Sequence, residues 1–439
     1  MRGFLLIWIG QLVSVLGTGL SSFALSLWVY RETGSATAMA SIQVAYTLPF
    51  LLVSPLAGAL IDRSSRKLMM AVSDAVAAIG TAGLLIASAA GGLQLWMYLA
   101  AAALSGLGNA FQWPAYSAAI SVMLPKEQYA RADGLMSLVE TGPGVIAPIL
   151  AGALLPFLGL SGILALDLAT FVLALAALWS VEIPRPERSA EGAAAERQNL
   201  AQDAAYGFRY IFAQPSLLGL QLCFLCVNLF VGISFALISP AILARTGQDA
   251  LALGGVQSAL AIGGLAGAAL MSAWGGFKRR ILGVAIGCAG LGLGLAAFGL
   301  GRGTLYWSIA GIAASVTGPL ANASSQAIWQ AKVPADIQGR VFSARRLISW
   351  FTGPAAPLIA GILADRVLEP LMGGKGASAS SAPPALLRAL FGSGPGAGMA
   401  LIISLGGLLS LVAAAAIVVV PVVRRVEEEL PRADAGASA

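Results

Sequence analysis

Apolar residues in this chain come in long unbroken runs, neither at the three-to-four spacing of a soluble amphipathic helix nor in the alternation of a half-buried strand. A run of roughly 20 such residues carries an α-helix across the hydrocarbon core of a bilayer. Windows of that length predict twelve membrane helices, at 4–30, 38–61, 68–90, 95–120, 134–156, 161–181, 216–243, 251–277, 281–300, 304–331, 346–367 and 398–423. The first run exceeds the apolar core of a cleaved signal peptide, roughly 7–15 residues, and is expected to be a membrane helix. Between the sixth and seventh spans the chain turns polar and charged. The predicted organisation is a first bundle at 1–181, a cytoplasmic linker at 182–215, a second bundle at 216–427 and a disordered tail at 428–439. The stretch 368–397, rich in Gly, Ser, Ala and Pro, reads as an outer loop or disordered segment.

Composition excludes a soluble fold: 58% of residues are hydrophobic and 10% are charged, against roughly 25% charged in soluble domains. Of the 26 Lys and Arg residues, 20 fall on the side of the N-terminus and 6 on the other, which puts both termini in the cytoplasm by the positive-inside rule. The net charge of +6 therefore reports topology and gives no support to a nucleic-acid partner. There is no histidine, which removes His-based triads, HExxH zinc sites and haem ligation by His. Cys223 and Cys226 form a C-x-x-C inside the apolar run 217–235, without the electropositive setting or further ligands that thiolate chemistry needs; with Cys288 they read as packing residues. No Walker loop is present, since Gly373-Gly374-Lys375-Gly376 lacks the following hydroxyl. Neither an enzyme nor a nucleotide-driven machine is expected, and no cofactor or metal is called for.

The two halves repeat. Pro125, Arg131 and Ala147-Pro148-x-x-Ala151-Gly152-x-Leu154 recur 209 residues later as Pro334, Arg340 and Ala356-Pro357-x-x-Ala360-Gly361-x-Leu363. The matching helices run in the same direction, so the duplication is parallel, as in one class of secondary transporters. Glycine pairs at i and i+4, Gly263/Gly267, Gly283/Gly287 and Gly290/Gly294, read as helix-packing faces.

Between the second and third spans, Gly58-Ala59-Leu60-Ile61-Asp62-Arg63-Ser64-Ser65-Arg66-Lys67 resembles the signature loop of the major facilitator superfamily, G-x-L-x-D-R-x-G-R-K, with Ser65 in place of Gly. The resemblance implies two six-helix bundles working by alternating access, with Gly58, Asp62, Arg63, Arg66 and Lys67 as a gate at the cytoplasmic face. Asp74, seven residues past Lys67 and so about 10 Å below that face, is assigned to the same gate, within reach of its arginines. The second-half loop, Trp274-Gly275-Gly276-Phe277-Lys278-Arg279-Arg280, keeps the basic residues but has no Asp. Gly361-Ile362-Leu363-Ala364-Asp365-Arg366 spells similar letters, but falls at the outer end of the eleventh span as an interfacial pair. Trp8-Ile9-Gly10-Gln11-Leu12, Leu166-Asp167 through Phe171, and Asp203-x-x-x-Gly207-x-Arg209-Tyr210 resemble the bacterial efflux branch that includes macrolide and enterobactin exporters. Ala147-Pro148-Ile149-Leu150-Ala151-Gly152 is similar to the antiporter motif G-P-x-x-G-G, and serves equally well as a tight packing surface.

Gln11, Ser14, Thr18 and Ser22 form one polar stripe along the first span. Asn109, Gln112, Trp113 and Tyr116 in the fourth span share their 0, 3, 4, 7 spacing with Asn322, Ser325, Gln326 and Trp329 in the tenth. With Gln43 and Asn228 these are the candidate substrate-cavity residues; helix-to-helix hydrogen bonding is the alternative reading. Glu140, seven residues into the fifth span, is the first candidate for a coupling carboxylate, with Asp167 as the second; pairing of Glu140 with Arg131 or Arg345 is the structural alternative. No Lys or Arg is expected inside the cavity-facing spans.

Together these point to an all-α membrane protein of the bacterial cytoplasmic membrane, acting as a monomer on small lipophilic molecules. The expected activity is proton-coupled efflux of neutral or cationic lipophilic compounds. A siderophore exporter, a solute importer or a lysolipid transporter on the same fold, or a non-transporting membrane sensor or scaffold, are the alternatives.

Overall fold

The computed structural model describes residues 2–125, 128–183, 200–334, 337–373 and 385–429, and every regular element in them is helical. Nine stretches among the described residues are long and apolar enough to cross a membrane. One of these, Gly134–Trp179, is 46 residues long and holds two of the spans expected from sequence.

The chain divides into two compact units, Met1–Glu196 with Thr246–Ser258, and Arg197–Arg245 with Ala259–Ala439. In the first unit, α1 (Arg2–Thr33), α2 (Ala36–Arg63), α3 (Arg66–Ala89) and α4 (Leu95–Met123) are followed by α5 (Tyr129–Trp179). Gly159 interrupts α5 with φ 63° and ψ 179°, a conformation that costs a residue with a β-carbon, so α5 consists of two arms. The second arm lies on α1 across small residues: a β-carbon on Gly10 would come 3.0 Å from that of Ala177. The Trp8 indole N–H donates to the Leu135 carbonyl at 2.7 Å, which fixes the first arm against the start of α1.

The second unit follows with α6 (Leu200–Ala213), α7 (Pro215–Arg245), most of α8 (Ala250–Trp274), α9 (Arg280–Leu300), α10 (Thr304–Lys332), α11 (Gln338–Trp350) and α12 (Thr352–Leu363). After a π-helical turn at Ala364–Leu368 come α13 (Glu369–Gly373), α14 (Ala385–Phe391), α15 (Ala397–Val419), α16 (Pro421–Arg424) and α17 (Val426–Glu429). The paired glycines are indeed packing faces: a β-carbon would fall 2.8 Å from Ile312 O at Gly263, and 2.8 Å from Ala321 Cβ at Gly287. Such approach brings helix backbones together where no hydrophobic effect drives them. The start of α8 packs with the first unit. Gly152 faces Ala250 and Leu251, Gly254 faces Pro148 and Ile149, and the Ser258 hydroxyl donates to Val145 O at 2.5 Å. The small residues of the antiporter-like motif thus accommodate a neighbouring backbone.

Three expectations need correction or limitation. The 368–397 stretch is not simply loop or disorder: α13 and α14 occupy much of it, and Glu369 caps α15 by accepting from the N–H groups of Gly396 (3.0 Å) and Met399 (2.8 Å). Residues 374–384 within it lie outside the described residues, as do 184–199 of the expected linker and 430–439 of the expected tail. The eleventh helix starts at Gln338, two turns before the expected 346, because a row of charged residues that hydropathy reads as loop is helical. Cys223, Cys226 and Cys288 are free, Cys288 buried in the core of the second unit.

Candidate functional site

The polar stripe on α1 faces a cavity of about 530 Å³ inside the first unit. Gln11, Ser14, Thr18 and Ser22 form one wall, and Asn109 and Gln112 on α4 another. Asp74 on α3, Glu140 on the first arm of α5 and Gln257 at the start of α8 add further polar groups. Tyr46, Phe23 and Phe171 add aromatic surface, and among the described residues no Lys or Arg lines the cavity.

Asp74 is the centre of its hydrogen bonding. The sequence placed this residue near the arginines of the gate loop, but it is 5% exposed and is held by two amides. Gln11 Nε2 donates to its Oδ2 at 3.0 Å, Gln112 Nε2 donates to its Oδ1 at 3.0 Å, and Gln112 Nε2 also reaches Gln11 Oε1 at 2.9 Å. The direction in which the side chain leaves the helix was not readable from spacing. A carboxylate in the apolar interior needs every one of these donors, since an uncompensated charge there is expensive. Gln112 Oε1 remains buried without a partner.

Asp167 lies behind the cavity wall, 1% exposed. It accepts from Ser21 (2.6 Å), Thr18 (3.3 Å) and Thr81 (3.4 Å), tying α1, α3 and the second arm of α5 together. Ser21 and Thr81 were not anticipated: Ser21 lies one residue off the α1 stripe, and a lone Thr in an apolar helix carries no signal of its own. Glu140 differs from both aspartates. It is exposed to the cavity.

Other candidates from the sequence do not line this cavity. Tyr116, 2% exposed, packs against Phe4 and Trp113 with ring centroids 6.3 and 6.2 Å away, and its hydroxyl has no partner. Gln43 is exposed on α2. Of the gate residues, Gly58, Asp62 and Arg63 belong to the last turns of α2, their side chains lying outside the described residues. Lys67 closes the end of α5, donating to the carbonyls of Trp179 (2.9 Å) and Val181 (2.7 Å) with its ammonium over the Trp179 ring. Arg66 opens α3, with the Ser65 hydroxyl capping the first turn.

In the second unit three residues of the α10 stripe hold a cation. Arg345 on α11 donates to Gln326 Oε1 at 2.7 Å and Ser325 Oγ at 3.0 Å, and its guanidinium lies 5.0 Å from the centroid of the buried Trp329 ring. This corrects the expectation of no basic residue within the spans: Gln338–Met372 is apolar enough to cross a membrane and contains Arg345. The predicted span began one position after Arg345, so from sequence it stood outside the span, as an alternative partner for Glu140. Gln221 on α7 donates to Ser349 Oγ (2.9 Å) and Arg345 O (3.3 Å), steadying that stretch of α11. Asn322 is exposed and Asn228 half-buried.

Comparison with known proteins agrees with this architecture. The family model described as Major Facilitator Superfamily matches residues 7–357. Macrolide efflux protein A of Streptococcus pyogenes is 24% identical over 369 residues, covering 83% of this chain and 90% of the relative. The multidrug efflux pump Tap of Mycolicibacterium fortuitum is 26% identical over 380 residues, 82% of this chain and 89% of Tap. Among solved structures, a bacterial homologue of the human lysosomal transporter Spinster superposes with a TM-score of 0.70 at 15% identity, covering 98% of each chain. A bacterial homologue of the iron transporter ferroportin gives 0.63 at 17% identity, covering 98% of this chain and 99% of the other.

Proposed function

Since the chain belongs to the Major Facilitator Superfamily and is a multi-pass membrane transporter, we propose that it exports neutral or cationic lipophilic compounds from the bacterial cytoplasm in exchange for protons. The observation that carries this reading is the cavity of the first unit, where two carboxylates, Asp74 and Glu140, meet aromatic and small side chains with no Lys or Arg among the described residues of the lining. Such a lining stabilises a cation and offers an anion no partner, so an anionic solute would meet a desolvation cost without compensation. The efflux relatives support the outward direction, and the excess of basic residues on one side supports a cytoplasmic location for both termini in the inner membrane.

Within the cavity the two acids divide the work. Asp74 is committed to Gln11 and Gln112 and holds α1, α3 and α4 in register. Glu140 makes no side-chain hydrogen bond or ion pair among the described residues, is reachable from the cavity and lies just before Gly142 and Pro143, so it serves as the carboxylate that proton and substrate occupy in turn.

The test is Glu140→Gln, which keeps shape and hydrogen bonding but cannot titrate. Inside-out vesicles with an imposed pH gradient should accumulate ethidium or erythromycin with the wild type, while Glu140→Gln should bind the same probes and lose gradient-driven accumulation. Accumulation by Glu140→Gln with wild-type pH dependence would remove Glu140 from coupling and move the role to Asp74 or Asp167.

A further inference from the structure

The second-half basic loop, left without an acidic partner in the sequence, shapes a second recess. A cavity of about 550 Å³ in the second unit lies between the start of α9 and the end of α15 with the segment after it. Four cations line it, Lys278 and Arg279 from the loop, Arg424 and Arg425 from beyond α15. Each is exposed, and none of the four side chains has a hydrogen-bond or ion-pair partner among the described residues.

The N-terminus of α9 does not account for this charge. It is already capped by Glu427, whose carboxylate accepts from the N–H groups of Arg280 and Ile281 at 3.2 Å each, while Lys332 Nζ fastens the Glu427 carbonyl at 2.6 Å. Glu427 thus supplies from the end of the chain the carboxylate that the loop lacks. With Glu427 committed and Glu428 the remaining acid of the lining among the described residues, the described lining carries more positive than negative charge.

Its floor is of the opposite character. Leu282, one turn beyond Arg279, and Val418, six residues before Arg424, both line the recess and are about two-fifths exposed. Both belong to helices apolar enough to cross a membrane. Unpaired cations at the polar end of such helices, above exposed aliphatic side chains, match an amphiphile with an anionic head and apolar tails. We infer that this recess binds an anionic glycerophospholipid, its phosphodiester held by Lys278, Arg279, Arg424 and Arg425 and its acyl chains running past Leu282 and Val418. The recess lies on the face that the distribution of basic residues assigns to the cytoplasm, where anionic lipids attract basic clusters.

Purified full-length protein in neutral detergent provides the test, titrated separately with dioctanoyl phosphatidylglycerol, dioctanoyl phosphatidylcholine and inorganic phosphate, and read by native mass spectrometry and thermal unfolding. Phosphatidylglycerol should remain bound and raise the unfolding temperature by a few degrees, as a ligand specific for the folded state does, with no such effect from the other two. Arg424→Gln combined with Arg425→Gln should weaken that binding about tenfold, while Arg424→Lys with Arg425→Lys and the distant Arg366→Gln keep it. Equal binding of phosphatidylcholine would show that the recess reads only acyl chains. Equal stabilisation by phosphate would make it a simple anion site, and undiminished binding to the double Gln variant would place the lipid elsewhere. Each of these three results overturns the assignment. None bears on the cavity of the first unit, so the proposed efflux function stands or falls separately.

Discussion

The same four-residue spacing on α4 and α10 supports opposite charges in the two units. On α4, Gln112 donates to the carboxylate of Asp74; on α10, Ser325 and Gln326 accept from the guanidinium of Arg345. Tyr116 and Trp329 occupy the matching fourth position, and both are buried. Neither charge has a counter-ion among its hydrogen-bond partners. Each is held by neutral dipoles, with an aromatic face added for the cation. The same spacing of side chains on the two helices thus accompanies charges of opposite sign. A charge solvated by amides and hydroxyls avoids dependence on a second buried ion, whose own desolvation is costly.

The comparison breaks most visibly at its acidic pole. Asp74→Leu leaves the amides of Gln11 and Gln112 without their acceptor, at about 1–3 kcal/mol for each buried donor left unsatisfied. Ethidium or erythromycin resistance conferred on a pump-deficient bacterium should fall more than tenfold at matched expression. Asp74→Asn keeps one acceptor oxygen and should fall between that variant and the wild type. Resistance unchanged in Asp74→Leu would mean that the acidic cluster is not needed by the transport cycle.

How much of this was readable beforehand differs between the units. Runs of apolar residues located the helices, and the stripe Gln11, Ser14, Thr18 and Ser22 lines the cavity along its full length. Spacing on α4 was less decisive: positions 0, 3, 4 and 7 share one face about 100° wide, and spacing does not tell how far along that face a cavity extends. Asn109 and Gln112 line the cavity, while Trp113 and Tyr116, further along the helix, pack on each other and Tyr116 on Phe4. Arg345, known from sequence only as an alternative partner for Glu140, fell outside the predicted span for a different reason. Hydropathy sums each residue alone and cannot register that Gln326, Ser325 and Trp329, some 16 to 20 positions earlier, satisfy a guanidinium on the next helix.

A second contrast sharpens the comparison through two loops of similar spelling. Gly58-x-Leu60-x-Asp62-Arg63 ends α2, whereas Gly361-x-Leu363-x-Asp365-Arg366 runs from α12 into a π-helical turn. If the first is a gate, Asp62→Asn should reduce export about tenfold while Asp365→Asn leaves it near wild type, both at equal surface expression. Equal losses would show that the letters rather than their location set the role.

At the basic pole the expected effect is smaller. Arg345→Lys keeps the charge but loses the planar fork that reaches Gln326 and Ser325 together, along with the flat contact over Trp329. Export should fall about fivefold, with Arg345→Met lower still, since Gln326 Oε1 then loses its donor. Should Arg345→Lys and Arg345→Met lie together at the wild-type level, the cation is dispensable and only the acidic cluster bears on transport.

The smallest effect is expected where the polar atom has nothing to do. Tyr116 is enclosed by Phe4 and Trp113, and its hydroxyl is buried without a hydrogen-bond partner. Trp329, its counterpart, uses its ring face to hold Arg345, whereas no cation lies over Tyr116 among the described residues. Tyr116→Phe removes an unsatisfied polar atom and leaves the ring packing intact, so the unfolding temperature in detergent should stay level or rise slightly, and export should not change. Trp329→Phe, by contrast, shrinks the surface beneath a guanidinium and empties part of a fully buried site, so it should lower both. A clear loss of export in Tyr116→Phe with stability preserved would mean that the hydroxyl meets substrate or water during the cycle. In that event the aromatic position of the first unit, as well as its acid, would belong to the transport site.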